Sequence, residues 1–106
     1  MSYRSITARE LKARLDSGER PELLDVREPW ELALSRLPGA TPIPLGELSG
    51  RFGELDPERP TVAVCHHGVR SAHVTRALQE AGFRDVANLE GGLSAYSEVD
   101  GDVPRY

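Results

Sequence analysis

The chain has 106 residues, 39% hydrophobic and 28% charged, which predicts one soluble globular domain over residues 1–106 and excludes a disordered chain. Thirteen basic against 17 acidic side chains leave a formal charge of −4, which argues against a nucleic-acid partner. No apolar run approaches the ~20 residues of a membrane span. Met1-Ser2-Tyr3-Arg4-Ser5 has no apolar leader segment, so the expectation is a cytoplasmic protein with no membrane partner.

Short apolar runs alternate with amphipathic stretches, the pattern of an α/β fold with a parallel sheet. A first strand is expected near Tyr3–Ile6. Thr7-Ala8-Arg9-Glu10 has the spacing of a capping box, Leu11 and Leu15 share a helical face, and Gly18 stops that helix. Glu22–Val26 is a short apolar strand. Glu28–Leu34 reads as a short helix, with Pro29 tolerated in its first turn. Leu37-Pro38-Gly39-Ala40 is a turn, and Thr41-Pro42-Ile43-Pro44 suits only an edge, because proline donates nothing to a ladder. Leu45–Leu55 is weakly helical and broken by Gly50 and Gly53. Thr61–Val64 is the clearest buried strand, with Cys65 at its C-terminal end. Ser71–Ala81 reads as a helix with Val74, Ala77, Leu78 and Ala81 on one face, ended by Gly82. Asp85–Leu89 is another strand, Gly91-Gly92 opens a last helix through Tyr96, and the tail Asp102–Tyr106 is expected to be extended.

Cys65 is the one cysteine, so no intrachain disulfide or Cys-x-x-Cys pair exists. A lone cysteine is most often a small buried hydrophobe. Its surroundings argue otherwise. Val64-Cys65-His66-His67-Gly68-Val69-Arg70-Ser71 runs from strand through a tight loop into a helix. Ligands of open parallel sheets bind at the C-terminal ends of the strands. The helix aims unpaired N–H groups at the loop, where they attract an anion and favour thiolate over thiol. Gly68 permits a left-handed backbone that can curl successive N–H groups into an anion-binding nest. Arg70 adds a permanent positive charge at the closing position. The expectation is a thiolate, or its anionic adduct, in a cradle of backbone donors.

Four segments then carry a family resemblance. They are Leu24-Asp25-Val26-Arg27-Glu28-Pro29-Trp30-Glu31, Leu37-Pro38-Gly39-Ala40, Cys65-His66-His67-Gly68-Val69-Arg70-Ser71 and Glu90-Gly91-Gly92-Leu93-Ser94-Ala95-Tyr96. In this order the chain resembles a single-domain rhodanese, a sulfurtransferase. The resemblance implies a three-layer α/β/α fold with a central parallel sheet of about five strands. It implies Cys65 as nucleophile and persulfide carrier, with His66, His67, Gly68, Val69 and Arg70 as the substrate-binding loop. The reaction expected is transfer of sulfane sulfur from a small donor such as thiosulfate to cyanide or a thiol. A sulfur-relay protein is a further expected partner, and no metal or organic cofactor is required.

Three positions depart from the family pattern. Arg36 stands where a histidine is usual, and Tyr96 where a tryptophan is usual. The two-domain thiosulfate enzymes carry extra basic residues around the substrate. Glu31 falls near the place of one such arginine, which implies that thiosulfate is a poor substrate. Loop length separates the nearest competitor: Cys65 to Arg70 spans six residues, and the related phosphatases have one more. The alternatives are a non-catalytic rhodanese-like binding module and, further off, a cysteine-based phosphatase or arsenate reductase.

His66 and His67 could act as acids or, with Cys65 and His73, ligate zinc. Adjacent loop side chains rarely converge on one metal, so lining the loop is the preferred role. Asp25 is expected either to hold the loop or to cap the Glu28–Leu34 helix. Arg27 faces the site or pairs with Glu28, Glu31 or a nearby carboxylate. Trp30 is expected in the core or at its rim.

Overall fold

The computed structural model describes residues 3–106. Five strands, β1 (Ser5–Ile6), β2 (Glu22–Asp25), β3 (Thr41–Pro42), β4 (Thr61–Val64) and β5 (Val86–Leu89), form one sheet in the order β1-β5-β4-β2-β3. Every pairing is parallel. Helices α1 (Ala8–Asp16), α2 (Pro29–Leu34), α3 (Val69–Glu80) and α4 (Gly92–Val99) alternate with the strands. This is the expected α/β architecture with its central five-stranded parallel sheet.

Residue alternation along the buried strands divides the core. Leu23, Val62, Val64, Ala87 and Leu89 pack with Leu11, Leu93 and Tyr96 of α1 and α4. Leu24, Ala63 and Val86 pack on the other side with Val74 and Leu78 of α3. Cys65 belongs to the α3 side. Strand β4 is central and buried at every position, so its C-terminal end delivers Cys65 into the interior.

Local signals place most elements. Thr7 caps α1 and the reciprocal bond between Glu10 and the Thr7 N–H completes the capping box. The proline-containing segment after the turn forms the edge strand β3, as its missing donors require. The weakly helical stretch resolves into two short 3₁₀ turns, Leu45–Gly50 and Phe52–Glu54.

Three expectations are corrected. Helix α3 begins at Val69 rather than Ser71, because Gly68 sits in the left-handed region at φ +97° and its carbonyl accepts from Ala72 N–H. Trp30 is not a core residue: it is 64% exposed on α2. The tail is not simply extended. Val103 is buried in the core and Tyr106 folds back over the loop after β4. No helix among the described residues is long and apolar enough to cross a membrane.

Candidate active site

Cys65 is 1% exposed, and its Sγ faces donors rather than carbonyls. Gly68 N–H lies 3.0 Å from Sγ, Ser71 N–H 3.4 Å and Ser71 Oγ 3.3 Å. The loop carbonyls are drawn the other way. Those of Cys65 and His66 accept the first N–H groups of α4, from Leu93 at 2.8 Å and Ser94 at 3.0 Å. In a planar trans peptide the carbonyl and the following N–H point in opposite directions. The His66 and His67 N–H groups therefore face away from α4. The N-terminus of one helix turns the loop so that the N-terminus of another can serve the sulfur.

This close approach explains Gly92. It has φ +61°, and a Cβ there would stand 2.5 Å from both the Cys65 and His66 carbonyl oxygens. Glycine is required for α4 to reach the loop at all.

Asn88 on β5 is a polar residue in a buried strand, which needs a reason. Its Nδ2 donates to the Gly68 carbonyl at 3.2 Å, which leaves Oδ1 as an acceptor for Ser71 Oγ. A hydroxyl has one proton, so Ser71 serves either Asn88 or Sγ at a given moment. Ser71 thus adjusts to a sulfur that needs a donor or to one that carries its own proton.

His66 and His67 do not converge. Their rings stack at 4.0 Å, and the other face of His66 stacks on Tyr106, also at 4.0 Å. His66 Nε2 lies 3.1 Å from the Tyr106 main-chain oxygen. Val69 is exposed at the start of α3.

Arg70 departs most from expectation. Its guanidinium does not close on the sulfur but grips Glu31 in two parallel bonds of 2.7 Å each. Glu31 is 3% exposed and Arg70 35%. Hydrogen bonds from Arg70 hold the Glu31 carboxyl down at about 2 against burial, which acts the other way. Arg70 is correspondingly pushed up, first by its hydrogen bonds to Glu31 and, further down, by the nearby Cys65.

Asp25 and Arg27 meet each other rather than the loop. Arg27 is fully buried and donates to Asp25 through Nε at 2.9 Å and Nη2 at 2.8 Å. It also reaches the Ser35 carbonyl at 2.7 Å and the Tyr106 hydroxyl at 2.8 Å. Burial opposes the Arg27 charge, but the bonds to Asp25 and Tyr106 leave its ionised form favoured. The Tyr106 hydroxyl in turn donates to Glu31 Oε1 at 3.1 Å. Asp25, Arg27, Tyr106, Glu31 and Arg70 form one continuous polar chain along the site. Asp25 is not the helix cap expected. The N-cap of α2 is Glu28, bonded reciprocally with Glu31.

The Glu31–Arg70 pair has a pH signature. The folded value of Glu31 lies below its ordinary 4.5, so its ionised form stabilises the protein above that range. The contribution is lost as pH falls from 4.5 toward about 2. Glu31→Gln is expected to cost about 2 kcal/mol at neutral pH, a figure discounted because Arg70 is partly exposed. Urea unfolding across that acid range is expected to show a flatter decline for the variant than for the wild type. Parallel declines would separate the stability of the fold from this pair.

A cysteine follows the end of a central parallel strand, and its sulfur faces one N–H of a tight loop and an N–H and a hydroxyl from the start of a helix. The rhodanese-like domain model matches residues 7–99, and the chain belongs to that family. Similarity to known proteins agrees. The chain is 40% identical over 105 residues to the probable adenylyltransferase/sulfurtransferase MoeZ of Mycobacterium tuberculosis, covering 96% of this chain and 27% of MoeZ. It thus spans about a quarter of that relative. It is 29% identical to the thiosulfate sulfurtransferase GlpE of Shewanella oneidensis, with 93% of this chain and 97% of GlpE covered. A crystal structure of a rhodanese-like domain protein from Staphylococcus aureus superposes with a TM-score of 0.86 at 32% identity, covering 97% of this chain and 98% of the other.

Proposed function

We propose that the chain, acting over residues 1–106 as one rhodanese unit in the cytoplasm, moves sulfane sulfur through a persulfide on Cys65. The observation that carries this reading is the cradle itself, with Sγ facing three donors while the loop carbonyls turn outward to α4. The Cys65 thiolate attacks the outer sulfur of a donor such as thiosulfate. A sulfur–sulfur bond forms to Cys65, the donor's own sulfur–sulfur bond breaks, and sulfite leaves with the electron pair. Loop N–H groups hold the persulfide anion as an oxyanion hole holds developing charge. Cyanide or an acceptor thiolate then attacks the terminal sulfur, and Cys65 leaves as thiolate. Two half-reactions joined by a covalent intermediate imply ping-pong kinetics.

Cys65 is the one cysteine, so the sulfur leaves only to an external nucleophile. A sulfur-relay protein suits that role, and the pairing of adenylyltransferase with sulfurtransferase in one relative's name supports it. Mass spectrometry after incubation with thiosulfate, an organic thiosulfonate and a hydropersulfide tests the proposal. The expected result is a gain of one sulfur atom, located on Cys65 and removed by cyanide as thiocyanate. Absence of any adduct with all three donors would overturn it in favour of a binding module. Turnover of an aryl phosphate instead would favour the phosphatase alternative.

A further inference from the structure

We propose that Glu31 sets donor specificity at this site: by holding and neutralising Arg70, it favours sulfur donors of single negative charge or none over the dianion thiosulfate. This rests on the sulfur-transfer reading above and adds the substrate class.

The loop network contains two arginines, Arg27 and Arg70. Arg27 is fully buried, and its donors are engaged by Asp25, the Ser35 carbonyl and Tyr106. It has no way to reach a substrate. Arg70 is the arginine of the loop itself and stands within electrostatic reach of Cys65. Both of its terminal nitrogens are committed to the two oxygens of Glu31. A bidentate pair of this kind is geometrically specific as well as strong, so releasing Arg70 toward a ligand means breaking two charge-assisted bonds.

Glu31 is itself fastened from other sides. Its Oε2 accepts the Glu28 N–H at 2.9 Å, and its Oε1 accepts the Tyr106 hydroxyl at 3.1 Å. It does not swing aside with Arg70. The net arginine charge presented by this network is cancelled in place: Asp25 answers Arg27 and Glu31 answers Arg70. Once the two arginines are paired, this network leaves the sulfur its backbone N–H groups and the Ser71 hydroxyl, donors whose partial charges suit one negative charge on sulfur. A second charge, as on the sulfonate end of thiosulfate, meets no unpaired arginine within this network and approaches a chain of formal charge −4.

The donors that distinguish this account transfer the same atom. Thiosulfate gives its outer sulfur to the Cys65 thiolate and releases sulfite, with two negative charges. Benzenethiosulfonate gives its outer sulfur in the same way and releases benzenesulfinate, with one. Intrinsic reactivity differs between them, so the informative quantity is the ratio of their loading rates in each variant.

The experiment measures second-order Cys65 loading from both donors in the full chain, for wild type, Glu31→Gln, and the double variant Glu31→Gln with Arg70→Gln. A neutral Gln accepts one bond where the carboxylate accepted several, which frees Arg70 to face the cradle. The expected result is that Glu31→Gln raises the thiosulfate rate about tenfold relative to benzenethiosulfonate, the scale of one charge-assisted hydrogen bond gained. Adding Arg70→Gln is expected to remove that gain. A ratio unchanged by Glu31→Gln would overturn the assignment of Glu31 while leaving sulfur transfer standing. If wild type takes sulfur from neither donor, the assignment of Glu31 falls, and loading from a hydropersulfide decides whether sulfur transfer stands.

Salt dependence of the wild type gives a second measure that does not depend on any variant folding. A free cation at the mouth makes the thiosulfate rate fall as salt rises. With Arg70 neutralised, the wild-type rate is expected to stay level or rise, and a clear fall would overturn the proposal.

Discussion

Cys65→Ser is expected to abolish sulfur transfer while leaving the fold in place. A hydroxyl is close in size to a thiol, and it inherits the same neighbours: Gly68 N–H, Ser71 N–H and Ser71 Oγ. Those donors satisfy a buried serine oxygen, so stability is expected to change by no more than about 1 kcal/mol. Chemistry is another matter, because an alkoxide is not accessible near neutral pH and a serine cannot carry a persulfide. The loss is expected to exceed about 10³-fold, the range in which removing a nucleophile acts. Thiocyanate formation from thiosulfate and cyanide, read beside circular dichroism, checks both halves. Turnover of the serine variant well above background would remove Cys65 from the mechanism.

Asp25→Ala is expected to give the largest loss of stability. The variant leaves the Arg27 guanidinium buried with its main counter-charge gone, since both side chains are fully buried. Breaking a buried pair by deleting one partner costs about 3–5 kcal/mol, a large part of the ~5–15 kcal/mol that holds a domain together. The measurement is the urea midpoint at constant m-value. Replacing both members with apolar residues, as in Asp25→Leu with Arg27→Met, is expected to recover much of the loss, because no charge is then stranded. A single-variant cost under about 1 kcal/mol would mean that water reaches Arg27 and relieves it.

The Asp25–Arg27 pair is only partly legible in the sequence. Asp25 and Arg27 are two residues apart, and their proximity was plain. That they bond to each other was not, because Glu28 and Glu31 were equally available partners. Asn88 did carry a signal: it interrupts an otherwise apolar strand, Val86-Ala87-Asn88-Leu89. A polar side chain in such a run needs a bonding partner, and that need points to the site. Tyr106 gave none, since it meets Arg27 across 79 positions and lies in a tail without periodicity.

By itself the sequence determined the sheet class, the strand that ends at Cys65 and the loop that follows it. These features are local. Alternating apolar runs, a capping box at Thr7 and a left-handed glycine at Gly68 act within a few residues, and short-range sterics and hydrogen bonding decide them. The tertiary structure alone decided where the charges go. Arg70 is 39 positions from Glu31, and nothing in a list of 13 basic and 17 acidic residues says which will pair. Coulomb attraction has no sequence direction; it is settled by which side chains the packed sheet brings within bonding distance, and by which of them burial leaves no other partner. The same holds for Gly92, whose need for a missing Cβ exists only because α4 is packed against the loop that carries Cys65.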